Sequence, residues 1–344
     1  MPDALINRRK IEHIDIIRAD SGVERTPSAF AHIRLAHRAL PEINLADIDT
    51  SCEFLGKTLA FPLIISSMTG GDHDMLRTIN RRLAEAAEHC QVALAVGSQR
   101  VMFHEAAARE SFALRRFAPN VPLIGNLGAV QFNKGFTACH IEEAVAVLDG
   151  DGLYLHLNPL QEAVQPEGDT EFAGLAARLP ELVEKSPVPL LLKEVGCGLS
   201  AADIELGLAA GIRHFDIAGH GGTSWSRIEA QRSADNFGFA FQDWGLPSAQ
   251  ALSDAHQQHP GACLIASGGV RSGLDMAKAI VLGAGLCGIA APFLHAALDS
   301  TKAVIAVIER LEREYRTALF LLGCPDTRAL RGESRYLYPS DPYL

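Results

Sequence analysis

The chain has 344 residues, 48% hydrophobic and 21% charged, a globular composition that excludes an intrinsically disordered protein. Asp and Glu (41) outnumber Lys and Arg (31), giving a formal net charge of −10; the basic excess of a nucleic-acid surface is missing. Seven cysteines without a CxxC pair or regular spacing read as free thiols of a reducing cytoplasm, not as a disulfide frame or zinc site.

In chain order, the first feature is a basic cluster, Arg8-Arg9-Lys10 with His13. It interrupts any secretory apolar core, and no later run approaches the ~20 apolar residues of a membrane span. About sixty residues then precede the first strong strand signal. From there eight short apolar runs follow: Phe61–Ser67, Val92–Val96, Val121–Asn126, Leu153–Asn158, Pro189–Val195, His214–Gly219, Cys263–Ser267 and Leu286–Ala290. They lack polar alternation, as strands buried on both faces do. Helical stretches separate them, among them Asp74–Glu88, Ala201–Ala210, Leu274–Leu282 and Thr301–Leu322.

Eight alternating units predict an α/β fold, a (β/α)8 TIM barrel, with an open doubly wound sheet as the alternative. The division expected is one barrel domain over 1–344, made of an arm (1–60), the barrel (61–325) and a tail (326–344). The unusual residues favour the barrel. Ser66-Ser67-Met68-Thr69, Gly97-Ser98-Gln99-Arg100, Asn126, His156, Lys193, Gly221-Gly222-Thr223, Gly268-Gly269-Val270-Arg271 and Ala290-Ala291 all lie at strand C-terminal ends. A barrel gathers those ends at one mouth, where active sites are built.

The glycine-rich turn at 268–273 and the small residues at 288–291 suit a phosphate cradle beside helix N-termini, with FMN as the natural occupant. The bland reading is a pair of tight turns. Gly196-Cys197-Gly198-Leu199-Ser200-Ala201, followed by Asp216, fits a dinucleotide fingerprint, but it sits in the fifth of eight units. Lys193 within a strand needs an anionic partner, either a carboxylate or the edge of a flavin ring. His156, Asn158, Gln161 and Glu162 offer hydrogen bonds, a proton relay and a hard oxygen ligand in one span. Arg9, Lys10 and Arg100 together look like a diphosphate clamp.

These motifs resemble the type 2 isopentenyl-diphosphate isomerases, an FMN-dependent family. The likeness runs from Arg9-Lys10-Ile11-Glu12-His13 to Ala290-Ala291. Its most specific parts are Met68-Thr69-Gly70-Gly71, Gln161-Glu162 with Pro166-Glu167-Gly168-Asp169, and Asp243-Trp244-Gly245-Leu246-Pro247. The resemblance implies interconversion of isopentenyl and dimethylallyl diphosphate in the cytoplasm, without membrane or nucleic acid. It implies FMN, Mg2+, and NADPH to reduce the flavin, in a homotetramer or homo-octamer. Flavin contacts would fall on Ser67, Met68, Thr69, Ser98, Asn126, Lys193, Thr223, Gly269, Val270, Arg271, Ala290 and Ala291. Substrate contacts would fall on Arg9, Lys10, His13, Ser98, Gln99, Arg100, His156, Asn158 and Gln161, with Glu162 holding Mg2+. Catalytic roles would fall to Gln161, His156 and Lys193.

His220 departs from the family pattern. His220-Gly221-Gly222 also resembles the FMN-dependent 2-hydroxy acid oxidases and dehydrogenases, but Thr223 stands where they carry an arginine. A scaffold without catalysis is the third class, and isomer formation separates all three.

Overall fold

A computed structural model describes residues 2–233 and 235–338, with side chains from residue 9 onward. Eight parallel strands form a closed barrel: β1 (Leu63–Ile65), β2 (Ala93–Ala95), β3 (Leu123–Gly128), β4 (Gly152–Leu157), β5 (Leu190–Glu194), β6 (His214–Asp216), β7 (Cys263–Ala266) and β8 (Leu286–Ile289). β8 pairs with β1, so the sheet has no edge. Each strand falls within the run expected for it, or within two residues of its end, and the closure rules out the open sheet. Helices Asp74–Cys90, Ala201–Ala209, Gly273–Val281 and Thr301–Leu322 occupy the expected places.

Period-two alternation divides each strand between two cores. Outward residues such as Leu63, Ile65, Leu94, Leu153 and Leu192 join the layer between sheet and helices. Inward residues Ile64, Ala93, Ile124, Tyr154, Leu191, Ile265 and Leu286 form a separate apolar cluster inside the barrel. Two residues further along, the same inward files carry Ser66, Asn126, His156, Lys193, Asp216 (by register with Lys193) and Ser267. The barrel is therefore apolar below and polar at its mouth.

The segment before β1 holds more structure than a simple arm. Helix Pro2–Ala19 opens it, and a hairpin of Cys52–Phe54 with Lys57–Leu59 closes it. Phe54 and Leu59 join the inward apolar cluster, so the hairpin plugs the N-terminal end of the barrel. At the other end of the chain, Leu337 bridges to Leu35, and the Tyr338 N–H donates to the Arg34 carbonyl. Tyr336 is buried and Tyr338 exposed; the tail thus caps its own arm. Tyr343 lies outside the described residues.

Because Phe54 is 3% exposed, Phe54→Ala opens a cavity beneath the barrel. It should lower stability by about 3–5 kcal/mol, read as a lower urea midpoint with an unchanged far-ultraviolet spectrum. An unshifted midpoint would show that the hairpin plugs nothing.

Candidate functional site

The polar mouth opens into a cavity roofed by helix Pro2–Ala19. Its walls include Lys10, His13, Ser67, Met68, Thr69, Ser98, Asn126, His156, Gln161, Lys193, Thr223, Gly269, Arg271, Ala290 and Ala291. Residues from position 10 to position 291 thus meet in one space. Val270 is buried beside it and can contribute its backbone. Gln99 does not reach it. That side chain is fully buried, with Oε1 accepting from the Asn126 N–H (3.0 Å) and Nε2 donating to the Ala144 carbonyl (2.8 Å). The expected Gln99 substrate contact is therefore corrected to a structural role for its side chain.

Lys193 and Asp216 lie in register on β5 and β6. The lysine Nζ donates to Asp216 Oδ2 at 2.9 Å, so its anionic partner is a carboxylate already in the fold. Lys193 nevertheless still lines the cavity. On its other side His156 Nδ1 lies 2.7 Å from Asn126 Oδ1. Burial, then Lys193 and Arg100, lower the imidazole pKa to about 4. Its surroundings therefore favour the neutral imidazole in the ligand-free chain.

Three hydroxyls on the cavity wall, Ser66 Oγ, Ser67 Oγ and Thr69 Oγ1, are buried without a hydrogen-bond partner. Buried polar atoms are nearly always satisfied, so these fit a polar ligand. Gly268 and Gly269 have φ of +83° and +96°, where a Cβ would strike the Gly219 and Gly221 carbonyls. The helix Ala291–Asp299 starts at the cavity with no side-chain cap on its first N–H groups. Pro292 has no N–H and the Phe293 N–H donates to the Ala290 carbonyl (2.9 Å), so Ala291 supplies the N–H left to an anion there. By contrast, helix Gly273–Val281 is capped by Ser272. The hydroxyls, the lysine, the glycine turn and the Ala291 N–H together fit a flavin mononucleotide.

A second set of residues gathers where the arm meets the loop after β4. Lys10 Nζ donates to the carbonyls of Gly70 and Ser98. Arg9 faces Glu167 at 3.8 Å, and Arg100 pairs with Asp169 at 2.8 Å. Of the three cations of the supposed clamp, Lys10 lines the cavity, whereas Arg9 and Arg100 pair with carboxylates of the loop after β4. Burial and the adjacent Arg9 lower the Lys10 pKa to about 7. Asn158 Nδ2 donates to both Gln161 Oε1 (3.1 Å) and Glu162 Oε1 (2.8 Å), while the Asp169 N–H donates to Glu162 Oε2 (2.7 Å). Glu162 thus has neutral donors rather than an ion pair with Arg100 or Lys10. Among the described residues no three His, Cys, Asp or Glu side chains could enclose a metal. One carboxylate fits Mg2+ if phosphate and water complete the shell.

Glu229 is the residue the sequence did not single out. It is fully buried on helix Trp225–Ser233. His13 Nε2 (3.0 Å) and Gln161 Nε2 (2.9 Å) meet its Oε1, and Arg232 Nε (2.7 Å) donates to Oε2. Burial alone would raise its pKa, but the bonds from His13, Gln161 and Arg232 bring it down to about 2. Glu229 therefore ties the arm to Gln161 and fixes the direction of that amide. Its setting, Ser226-Arg227-Ile228-Glu229-Ala230-Gln231, reads as an ordinary solvated helix and gave no signal.

Two suggestive patterns prove to be internal. Four consecutive N–H groups, Val195 to Cys197 and Gly198, donate to Glu194 Oε2. The glycine-rich turn thus cups a carboxylate of its own strand, and Asp216 is committed to Lys193; the dinucleotide reading fails on both counts. His220 faces Asp243 at 3.9 Å and lines no part of the cavity.

The chain matches the model of the FMN-dependent dehydrogenases over residues 7–121 and 159–336. It is 55% identical over 333 residues to the isopentenyl-diphosphate delta-isomerase of Paracoccus zeaxanthinifaciens, covering 95% of each chain. The enzyme of that name from Hydrogenovibrio crunogenus is 55% identical over 329 residues, covering 94% of this chain and 96% of that one. Among solved structures, an (S)-mandelate dehydrogenase mutant superposes with a TM-score of 0.67 at 20% identity, covering 90% of this chain and 88% of the other. A flavocytochrome b2 mutant gives 0.67 at 18%, covering 91% and 77%. At those identities the structures show the shared barrel only.

Two titrations follow from the site. Lys10 is partly deprotonated at pH 7.5 in the free chain, and a diphosphate beside it restores the charge. Binding of inorganic pyrophosphate should therefore take up protons, measured as a calorimetric heat that varies with buffer ionisation enthalpy; buffer-independent heats would contradict it. For His156 the folded pKa lies below the unfolded value, so the unfolded chain binds the proton first. Stability should fall by roughly 3 kcal/mol at most from this group as pH drops from about 6.5 to about 4. His156→Gln should flatten that part of the denaturation profile, and an unaltered slope would refute the assignment.

Proposed function

Because this chain belongs to the FMN-dependent dehydrogenase family and, within it, to the isopentenyl-diphosphate delta-isomerases, we propose that it interconverts isopentenyl and dimethylallyl diphosphate in the cavity at the barrel mouth. The observation that carries this reading is the presence of two polar sets there: the partnerless hydroxyls of Ser66, Ser67 and Thr69 with the Ala291 N–H, and Lys10 on the roof with Arg9 and Arg100 close by. One fits the flavin phosphate and the other the substrate diphosphate. A 2-hydroxy acid oxidase is disfavoured by the placement of His220 outside the cavity and by Thr223 in the carboxylate-binding position.

The reaction adds a proton at C4 and removes one from C2, with positive charge building at C3 between the two events. Reduced FMN supplies an electron-rich ring and an acid–base group when bound, and NADPH is the proposed reductant. Ser67, Met68, Thr69, Ser98, Asn126, Lys193, Thr223, Gly269, Val270, Arg271, Ala290 and Ala291 form its binding wall. Arg9, Lys10 and Arg100 anchor the diphosphate. His13, fixed by Glu229, holds the roof helix down and excludes water. Gln161, held at both ends of its amide by Glu229 and Asn158, orients the isoprenyl chain; an amide is too poor an acid to carry the proton itself. His156, neutral, contributes a hydrogen-bonding edge. The arm at 1–60 thereby acts as the substrate lid of a single unit whose barrel spans 61–325 and whose tail spans 326–344. A homotetramer or octamer in the cytoplasm completes the proposal.

Anaerobic incubation with FMN, Mg2+ and NADPH should convert isopentenyl diphosphate with no net NADPH consumption per turnover. Stoichiometric NADPH oxidation would overturn the isomerase reading. Glu162→Gln should lower kcat/KM by about tenfold or more while FMN stays bound, and excess Mg2+ should restore part of the rate. A variant with the parent's Mg2+ titration curve would return Glu162 to a purely structural role.

A further inference from the structure

Lys193 and Asp216 form the most deeply buried ion pair at the mouth, with side chains 8% and 1% exposed. Only the lysine lines the cavity; Asp216 lies behind it. The second oxygen of Asp216 accepts from Ser267 Oγ, which fixes the carboxylate on the barrel floor. Beneath the pair, the Lys193 ammonium sits 5.8 Å from the centre of the Tyr154 ring. Its in-register neighbour on β4 is His156, a neutral imidazole. Lys193 is therefore the cation on this part of the floor, and Asp216 is the anion that opposes it.

A lone ammonium in a water-poor cavity projects a strong field, because interactions between charges grow as the effective dielectric falls. An adjacent carboxylate cancels much of that field beyond the pair while leaving the remaining N–H groups of the lysine free to donate. We propose that Asp216 is a positioning residue: it fixes Lys193 and limits the positive potential that the cavity floor presents to a bound flavin. This rests on the FMN-dependent isomerase reading. A full positive charge beside the ring would favour electron uptake, which suits net redox chemistry. In the isomerisation the ring stays reduced and faces positive charge at C3, so an uncompensated cation would withdraw electron density where it is required. A hydrogen-bonding but nearly neutral pair serves that reaction better than a bare lysine.

The test is the midpoint potential of bound FMN, measured by dye equilibration, together with FMN affinity and steady-state rates. Asp216→Asn removes the opposing charge and keeps the shape. Its bound flavin should have a more positive potential than the parent's, and kcat should fall about tenfold or more with KM for isopentenyl diphosphate little changed. Lys193→Met should shift the potential the other way, and the double variant should return towards the parent, completing a cycle that isolates the pair. Asp216→Glu, which restores the charge, should recover most of the potential. FMN bound to Asp216→Asn with an unshifted or more negative potential overturns the proposal. Should that variant fail to fold, a double variant whose potential does not lie above that of Lys193→Met overturns it equally. A parent chain that takes up no FMN overturns the flavin reading itself, a distinct result.

Discussion

The structure depends on strand alternation inside a closed barrel. Eight strands close around stacked layers of inward side chains, and period two decides which residues of each strand enter them. Ile64, Ile124, Tyr154, Leu191 and Ile265 fill the lower layer with apolar volume, helped by Phe54 and Leu59 from the hairpin. That packing fixes the register of every strand. It then forces Ser66, Asn126, His156, Lys193 and Ser267 inward at the mouth, where the apolar filling stops. A one-residue slip on any strand would turn its polar residue into the helix layer, where it would lie buried without a partner.

Polar groups forced inward must satisfy one another or a ligand, and both outcomes occur side by side. Lys193 with Asp216, and His156 with Asn126, settle internally. The hydroxyls of Ser66, Ser67 and Thr69 do not, and they mark the wall where a ligand would complete the network. The roof is organised by the same rule. Glu229 is an anion in the dark, kept charged by His13, Gln161 and Arg232. Removing one member of such a buried set commonly costs about 3–5 kcal/mol. The arm is thus held on the mouth by a network that also aims Gln161.

Likeness of fold and likeness of chemistry separate in this molecule. The barrel superposes on oxidising flavoproteins, yet the His220-Gly221-Gly222 turn that suggests their chemistry points its imidazole toward Asp243, away from the cavity. The Gly196-Cys197-Gly198 turn likewise has the spacing of a nucleotide loop and spends its N–H groups on Glu194. In both cases the residue types suit the motif, and the direction of the side chain or backbone decides the function.

The eight strands, the parallel order and the mouth-facing residues were legible from the sequence because both-face burial demands continuous apolar runs, each ended by a polar or glycine residue. The tight turn at Gly268-Gly269 was legible for a similar reason: only glycine tolerates that approach to the Gly219 and Gly221 carbonyls. The sequence could not show that Gln99 turns into the core, since one residue beyond Ser98 the 3-10 turn had to be known to give its direction. Nor could it show Glu229 or the partner of Lys193, because both interactions join residues 23 to 216 positions apart. Local pattern records how a segment is buried; which charges face each other is decided only when the barrel closes and the arm docks on its mouth.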